Sequence, residues 1–106
     1  MIAAFEVRCA DPAREDMFRL LEFLLERAQT ADDHDAAQLA VDVIRQAVER
    51  SLGRAPFVHR KAGDSPFLRE VLIPFRGAGC VALYEINDAA TVTVLAVRHQ
   101  LEDDCH

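Results

Sequence analysis

The sequence lacks several features that would each place a chain in a well-defined class. Its three cysteines, Cys9, Cys80 and Cys105, form no CxxC pair and are odd in number, which counts against a zinc ribbon or a disulfide framework and favours reduced thiols. No run of apolar residues approaches the roughly 18 that a membrane span requires. The short apolar stretch at the N-terminus has no basic segment before it, so we expect no signal peptide and a cytoplasmic protein.

The chain also lacks an excess of basic residues. It has 12 Lys and Arg against 18 Asp and Glu, a net charge of −6, which counts against direct nucleic-acid binding because phosphates call for a basic face. The net charge does not exclude a local basic patch, because six basic side chains cluster in one third of the sequence: Arg54, His59, Arg60, Lys61, Arg69 and Arg76. With 106 residues and no internal repeat, residues 1–106 are expected to form a single domain.

The first half of the chain predicts one strand and two helices. Residues 2–8 alternate weakly like a strand, and Asp11 follows as the expected N-cap of a helix. Apolar residues then recur at helical spacing on both sides of an acidic break, where Asp32 or Asp33 is expected to cap the second helix. The expected buried positions are Met17, Leu20, Leu21, Leu24, Leu25 and Ala28 in the first helix, and Ala36, Leu39, Ala40, Val43, Ile44, Ala47, Val48 and Leu52 in the second.

The last third predicts a three-stranded antiparallel meander. Residues 67–75, 80–86 and 91–99 alternate like strands and are joined by short turns, and the alternation places Val92 and Val94 on the face opposite Val97. The fold class is therefore α+β: an N-terminal strand, an α-helical hairpin and this meander, with the hairpin packed on one face of a four-stranded antiparallel sheet. Because both faces of the strands are rather apolar, we expect part of the uncovered face to meet a partner.

The order of these elements and three short motifs resemble the RelE/ParE superfamily of bacterial type II toxins. Residues 66–70 (PFLRE) are similar to the family's "lRel" strand, and residues 79–86 (GCVALYEI) look like its "GY-x-x-x-Y-x-V" strand. Residues 92–99 resemble its closing "I-L-x-V-x-H" strand. The resemblance implies a toxin held inactive by a cognate antitoxin protein, which would wrap it with a helix and add a strand at the sheet edge.

Two activities occur in this superfamily, and fold alone does not choose between them. RelE-like members cut messenger RNA on the ribosome, which requires basic side chains around the phosphate and an acid or base. ParE-like members poison DNA gyrase by binding. The resemblance places two of the nuclease's lysines at Leu72 and Pro74, an arginine at Val81 and a tyrosine at Cys105, and these substitutes cannot do that work. We therefore favour a ParE-like toxin that inhibits DNA gyrase by binding and is not an enzyme.

Two alternatives stay open. In the first, the chain is a RelE-like ribosome-dependent ribonuclease, for which the candidate catalytic residues are Arg76, Arg98 and His99, the last because imidazole titrates in the useful range. In the second, the chain is a detoxified binding module that survives as an antitoxin partner or a homodimer. Its acidic balance fits that idea, as does Cys80, which stands where the family usually has an aromatic residue.

Three arginines are candidates for contact with a partner. Arg69 lies in a predicted strand, Arg76 in the turn after it, and Arg98 at the end of the last strand. Arg98 has a local alternative, an ion pair with the acidic residues that follow it. Tyr84, at mid-strand, is expected in the core with its hydroxyl bonded to a neighbour. We expect no metal or other cofactor, because the C-terminal residues His99, Cys105 and His106 match no ligand spacing.

Overall fold

The computed structural model describes residues 4–75 and 78–99 and confirms the predicted α+β order. Strand β1 spans Glu6–Cys9, helix α1 Asp11–Glu26 and helix α2 Ala31–Arg54. A short 3₁₀ helix, Pro56–Val58, leads to strands β2 (Leu68–Phe75), β3 (Ala78–Ile86) and β4 (Thr91–His99). None of the helices in these residues is long and apolar enough to cross a membrane.

The four strands form one sheet in the order β1-β4-β3-β2, with β1 and β2 at its edges. The meander β2-β3-β4 is antiparallel as predicted. Strand β1, however, pairs parallel with β4, with Val7 opposite Val92, so the prediction of a fully antiparallel sheet was wrong. Alternation identifies a strand but says nothing about the direction of its neighbour, and the chain between β1 and β4 is long enough to supply the crossover that a parallel pair requires.

A β-bulge interrupts the pairing of β3 with β4. The register shifts between Leu83 and Tyr84, so Leu95 on β4 is an extra residue that has no paired residue on β3. Beyond the bulge the two faces of β4 exchange, and Val97 is buried on the core face. The prediction that Val97 lies opposite to Val94 was therefore wrong. The carboxylate of Asp16 on α1 accepts a hydrogen bond from the Val97 backbone N–H at 2.9 Å, which ties α1 to the bulge.

The helix ends are capped differently from the prediction. Helix α1 has Ala10 as its N-cap and no side-chain cap, so Asp11 is already helical. The N-cap of α2 is Thr30, whose hydroxyl accepts the Asp33 backbone N–H at 3.1 Å. The Asp33 carboxylate in turn accepts the Gln29 backbone N–H at 3.0 Å. This reciprocal arrangement resembles a capping box, in which a residue in the first turn bonds back across the helix start.

The hairpin covers the core face of the sheet. The buried core comprises Ala13 and Leu20 of α1, Ile44, Val48 and Leu52 of α2, and Val71, Ile73, Cys80, Ala82, Tyr84, Ile86, Val92, Val94 and Val97 of the sheet. The prediction of burial was wrong for Leu39 and Val43, which are 64% and 52% exposed. The apolar arc of α2 is wider than the face that meets the sheet, so these two side chains lie on its flank.

Candidate partner-binding site

The hairpin leaves the core face of β1 partly uncovered and so creates a groove at this edge of the sheet. Its floor is formed by β1, and its walls by the N-terminal half of α1 and by α2. The groove has a volume of about 760 Å³, within the range of binding pockets. We call it the β1 groove; its lining residues are Val7, Arg8, Cys9, Arg14, Met17, Phe18, Leu21, Val41, Asp42, Arg45 and Glu49.

The β1 groove combines an apolar floor with three arginines. Three partly buried side chains of the groove pack against the hydrophobic core: Val7, Cys9 and Met17. The side chain of Phe18, which also lines the groove, is 67% exposed. The pKa of the Cys9 thiol is raised mainly by burial. The negative charge of Glu49 raises this pKa further, whereas the positive charge of Arg14 lowers it. The thiol is therefore neutral at neutral pH and behaves as part of the apolar floor.

The arginines differ in how they are engaged. Arg8 donates to the Glu6 carboxylate at 2.9 Å, and this bond is the main cause that raises the pKa of its guanidinium. Arg45 lies 3.4 Å from Asp42, one turn back on α2. Among the described residues, Arg14 makes no ion pair. Exposed pairs of this kind are weak, so an acidic ligand could replace them at small cost.

The outer edge of β1 also offers backbone hydrogen-bonding groups. The N–H groups of Glu6 and Ala10 donate to carbonyls on the β4 side, at Ala90 and Val94. The alternate residues Val7 and Cys9 therefore direct their N–H and C=O groups away from β4. An unpaired strand edge of this kind can accept another strand.

The predicted site residues lie elsewhere. Arg98 is exposed on the outer face of the sheet, in a row across three strands in which Leu72 pairs with Val81 and Val81 with Arg98. The backbone of His99 pairs with Cys80, but its side chain lies outside the described part of the chain, as does the whole of Arg76. The structure thus brings Arg98 together with two apolar side chains. The alternative predicted for Arg98, an ion pair with the C-terminal acids, concerns residues outside the described part of the chain.

Arg69 is on the core face of β2, where its guanidinium binds the backbone of the preceding segment. It donates to the carbonyls of Pro66, Phe57 and His59 at 2.7, 2.9 and 2.7 Å. Through these bonds Arg69 stabilises the segment before β2. The expectation that Arg69 contacts a partner remains a prediction. Within residues 4–75 and 78–99 no group of three His, Cys, Asp or Glu side chains could hold a metal ion; the predicted absence at His99, Cys105 and His106 is outside this range.

The arginines of the β1 groove were not singled out by sequence reasoning. The available signal was helical spacing, since Arg14 and Phe18 are four residues apart on α1 and Arg45 and Glu49 four apart on α2. Such spacing places each pair on one flank of its helix. It does not show that the two flanks face each other across β1, which depends on how the hairpin sits on the sheet.

Comparison with known proteins agrees with this architecture. Residues 7–104 match the family model of the ParE toxin of the type II toxin–antitoxin system parDE. Among solved structures, a chain of the chromosomal ParDE system from P. aeruginosa has a similar fold, with a TM-score of 0.68 over 91% of this chain and 96% of that chain at 12% sequence identity. No curated protein gives a significant match. Since the family model spans most of the sequence, the chain belongs to the ParE toxin family of type II toxin–antitoxin systems.

Proposed function

We propose that this chain is a ParE-type toxin that acts by binding DNA gyrase and is neutralised by an antitoxin seated in the β1 groove. The observation that carries a binding mode of action is the row formed by Leu72, Val81 and Arg98 on the outer face of the sheet. Resemblance to the nucleases of the superfamily would put basic side chains at Leu72 and Val81. Membership of the ParE family supports gyrase as the proposed target.

A ribonuclease without a metal needs several fixed cations around the phosphate. The charge that develops on the phosphoryl oxygens must be neutralised by groups already in place. Leu72 is 56% exposed and Val81 lies beside it, so two of the three positions in the row present only hydrocarbon to solvent. One arginine, Arg98, cannot replace such a set, and an exposed apolar surface on a sheet is better suited to contact with a protein.

The chemistry of the β1 groove suits an amphipathic antitoxin segment. An apolar helix face could contact Met17, Phe18 and Val41, while acidic side chains on its flanks reached Arg14 and Arg45. The similar fold in a ParDE system supports an antitoxin partner for this chain. An extended continuation of the same segment could pair with the free edge of β1, as the family resemblance implied.

Induced expression in a bacterial host tests the function. Growth, the SOS response and bulk protein synthesis are followed separately, and purified protein is then added to a gyrase supercoiling assay. We expect growth arrest with SOS induction while protein synthesis continues, together with inhibited supercoiling. Immediate loss of protein synthesis without SOS would mean a ribonuclease. Continued growth with soluble protein present would mean a detoxified binding module.

A charge reversal tests the place of the antitoxin. Arg14→Glu changes the groove, whereas Arg50→Glu makes the same change on an exposed position of α2 that does not line it. Each variant is co-expressed with the antitoxin encoded in its module. Arg14→Glu is expected to stay toxic and to escape neutralisation, while Arg50→Glu is neutralised like the unmodified chain. Equal neutralisation of both variants would refute the groove assignment.

A further inference from the structure

A second apolar surface lies at the opposite edge of the sheet from the β1 groove. Phe57, Val58 and Phe67 are 48%, 74% and 49% exposed, and all three belong to the segment between α2 and β2. The rings of Phe57 and Phe67 meet edge to face with their centroids 6.3 Å apart. We call these three residues the aromatic patch. Clustered exposed apolar side chains on a small protein indicate an interaction surface, and aromatic residues are enriched at the centres of interfaces.

The backbone that carries the aromatic patch is fixed from beneath. Arg69 binds the carbonyls of Phe57 and His59 on one side of the segment and that of Pro66 on the other, so one guanidinium joins both ends of the patch. The buried hydroxyl of Tyr84 donates to the Pro56 carbonyl at 2.6 Å. A surface held in place before binding loses little conformational entropy when a partner arrives, which favours a docking role over incidental exposure.

The surroundings of the aromatic patch are basic although the chain is acidic. Residues 54–69 contain four Lys or Arg and one Asp, a net charge of +3 within a chain of net charge −6. Arg60 is paired with Glu70, whereas Arg54 and Lys61 are exposed and make no ion pair among the described residues. The patch therefore complements a partner surface that is both apolar and acidic.

Nucleic acid is the less suitable occupant. Of the Lys and Arg side chains in residues 54–69, only Arg54 and Lys61 are without an ion pair or carbonyl partner within the described part of the chain and so could meet phosphates, and Asp64 lies in the same segment. Phosphate binding draws its affinity from many such contacts, and the net charge of −6 opposes the approach of a polyanion. A protein segment requires only a few charges around a central apolar contact.

The antitoxin is also a less suitable occupant, because the aromatic patch and the β1 groove are at different edges. The sheet order places β4 and β3 between β1 and β2, and neighbouring strands are about 4.8 Å apart. The two edges are thus separated by roughly three strand spacings, about 14 Å. We propose that the aromatic patch docks an acidic, apolar segment of the toxin's target protein, separately from the antitoxin; this inference rests on the proposed toxin function.

The test uses Val58→Glu, which adds a negative charge at the most exposed residue of the patch and removes no side-chain hydrogen bond. Val43→Glu is the matched control, because it makes the same change at a 52% exposed residue of α2 that belongs neither to the aromatic patch nor to the lining of the β1 groove. Both variants are first shown to be folded by circular dichroism. Growth arrest on induction, neutralisation by the antitoxin, gyrase affinity and binding of a labelled single-stranded DNA are then measured for each.

We expect Val58→Glu to lose growth arrest and to bind gyrase about tenfold or more weakly, as for a central interface residue, while Val43→Glu keeps both. Antitoxin binding should be unchanged in both variants. Full arrest by Val58→Glu would refute the patch while leaving the toxin function intact. Loss of antitoxin binding, or a loss confined to DNA binding, would also refute it. Absence of arrest by the unmodified chain would refute the toxin function and the target docking together.

Discussion

Replacement of Tyr84 by phenylalanine isolates the bond that connects the sheet core to the segment after α2. The Tyr84 side chain is fully buried, and its hydroxyl donates to the carbonyl of Pro56, which is less than 2% exposed. The variant keeps the ring, and therefore its edge-to-face contact with His59 at 6.2 Å. Only the hydroxyl is lost, so the change in stability reports the hydrogen bond and little else.

The expected loss follows from the burial of both partners. Leaving a buried carbonyl without a hydrogen-bond donor lowers the unfolding free energy by about 1–3 kcal/mol. For a domain of this size that corresponds to a fall in melting temperature of roughly 5–13 °C. Urea denaturation followed by circular dichroism measures the free energy directly, and the dependence on urea concentration should not change because the buried area is the same.

Thr93→Val is the matched control for this prediction. It also removes one hydroxyl, which donates to the Asn87 side chain at 2.6 Å, but that bond is exposed. The control should lose less than about 0.5 kcal/mol because water replaces the lost partner. If Tyr84→Phe lost no more stability than Thr93→Val, the reasoning that the Tyr84 hydroxyl stabilises the segment at Pro56 would be refuted.

Three further predictions concern stability. Thr30→Ala should lower the unfolding free energy by about 1 kcal/mol, measured in urea, because the N-cap of α2 is lost, whereas Thr30→Ser should be close to neutral. Asp16→Ala should speed amide hydrogen exchange at Val97 and cost about 1–2 kcal/mol; an unchanged exchange rate would contradict the tie between α1 and the bulge. Burial raises the pKa of Tyr84 from its ordinary value of 10.0 to about 12, so the folded state favours the neutral phenol. The associated stability is complete below pH 10 and is lost as the pH rises towards 12, a loss that Tyr84→Phe should not show in urea titrations at stepped pH.

The elements of the fold were predictable because their signals are local. Helical periodicity identified the hairpin, and alternation with short turns identified the meander. The direction of β1 was not predictable, since strands of either orientation alternate alike. The bulge at Leu95 was hidden for a similar reason: an extra residue leaves the apolar run of β4 unbroken and changes only which side chains face the core.

The candidate sites were predictable only in part. The role predicted for Arg98 stays a prediction, whereas the expectation that Tyr84 lies in the core with a bonded hydroxyl is confirmed. The β1 groove forms because α1 and α2 pack on either side of β1. This tertiary arrangement leaves no signal in the local sequence. Arg69 was predicted to contact a partner, whereas the structure shows it bound to three backbone carbonyls. One of these, at Pro66, is three residues away, and the other two, at Phe57 and His59, are ten or more residues away and were not predictable from the local sequence.

The pairing of β1 with β4 has a consequence for how the protein is made. Glu6 and Thr91 are neighbours in space but about 85 residues apart in sequence. During synthesis the first strand emerges long before its partner exists, so the sheet cannot be completed until strand β4 has also left the ribosome. Closing so large a loop is entropically costly and slows folding. The β1 groove, whose floor is this strand, is therefore complete only once β1 has paired with β4, and a chain that stops before β4 lacks the pairing that holds this floor in place.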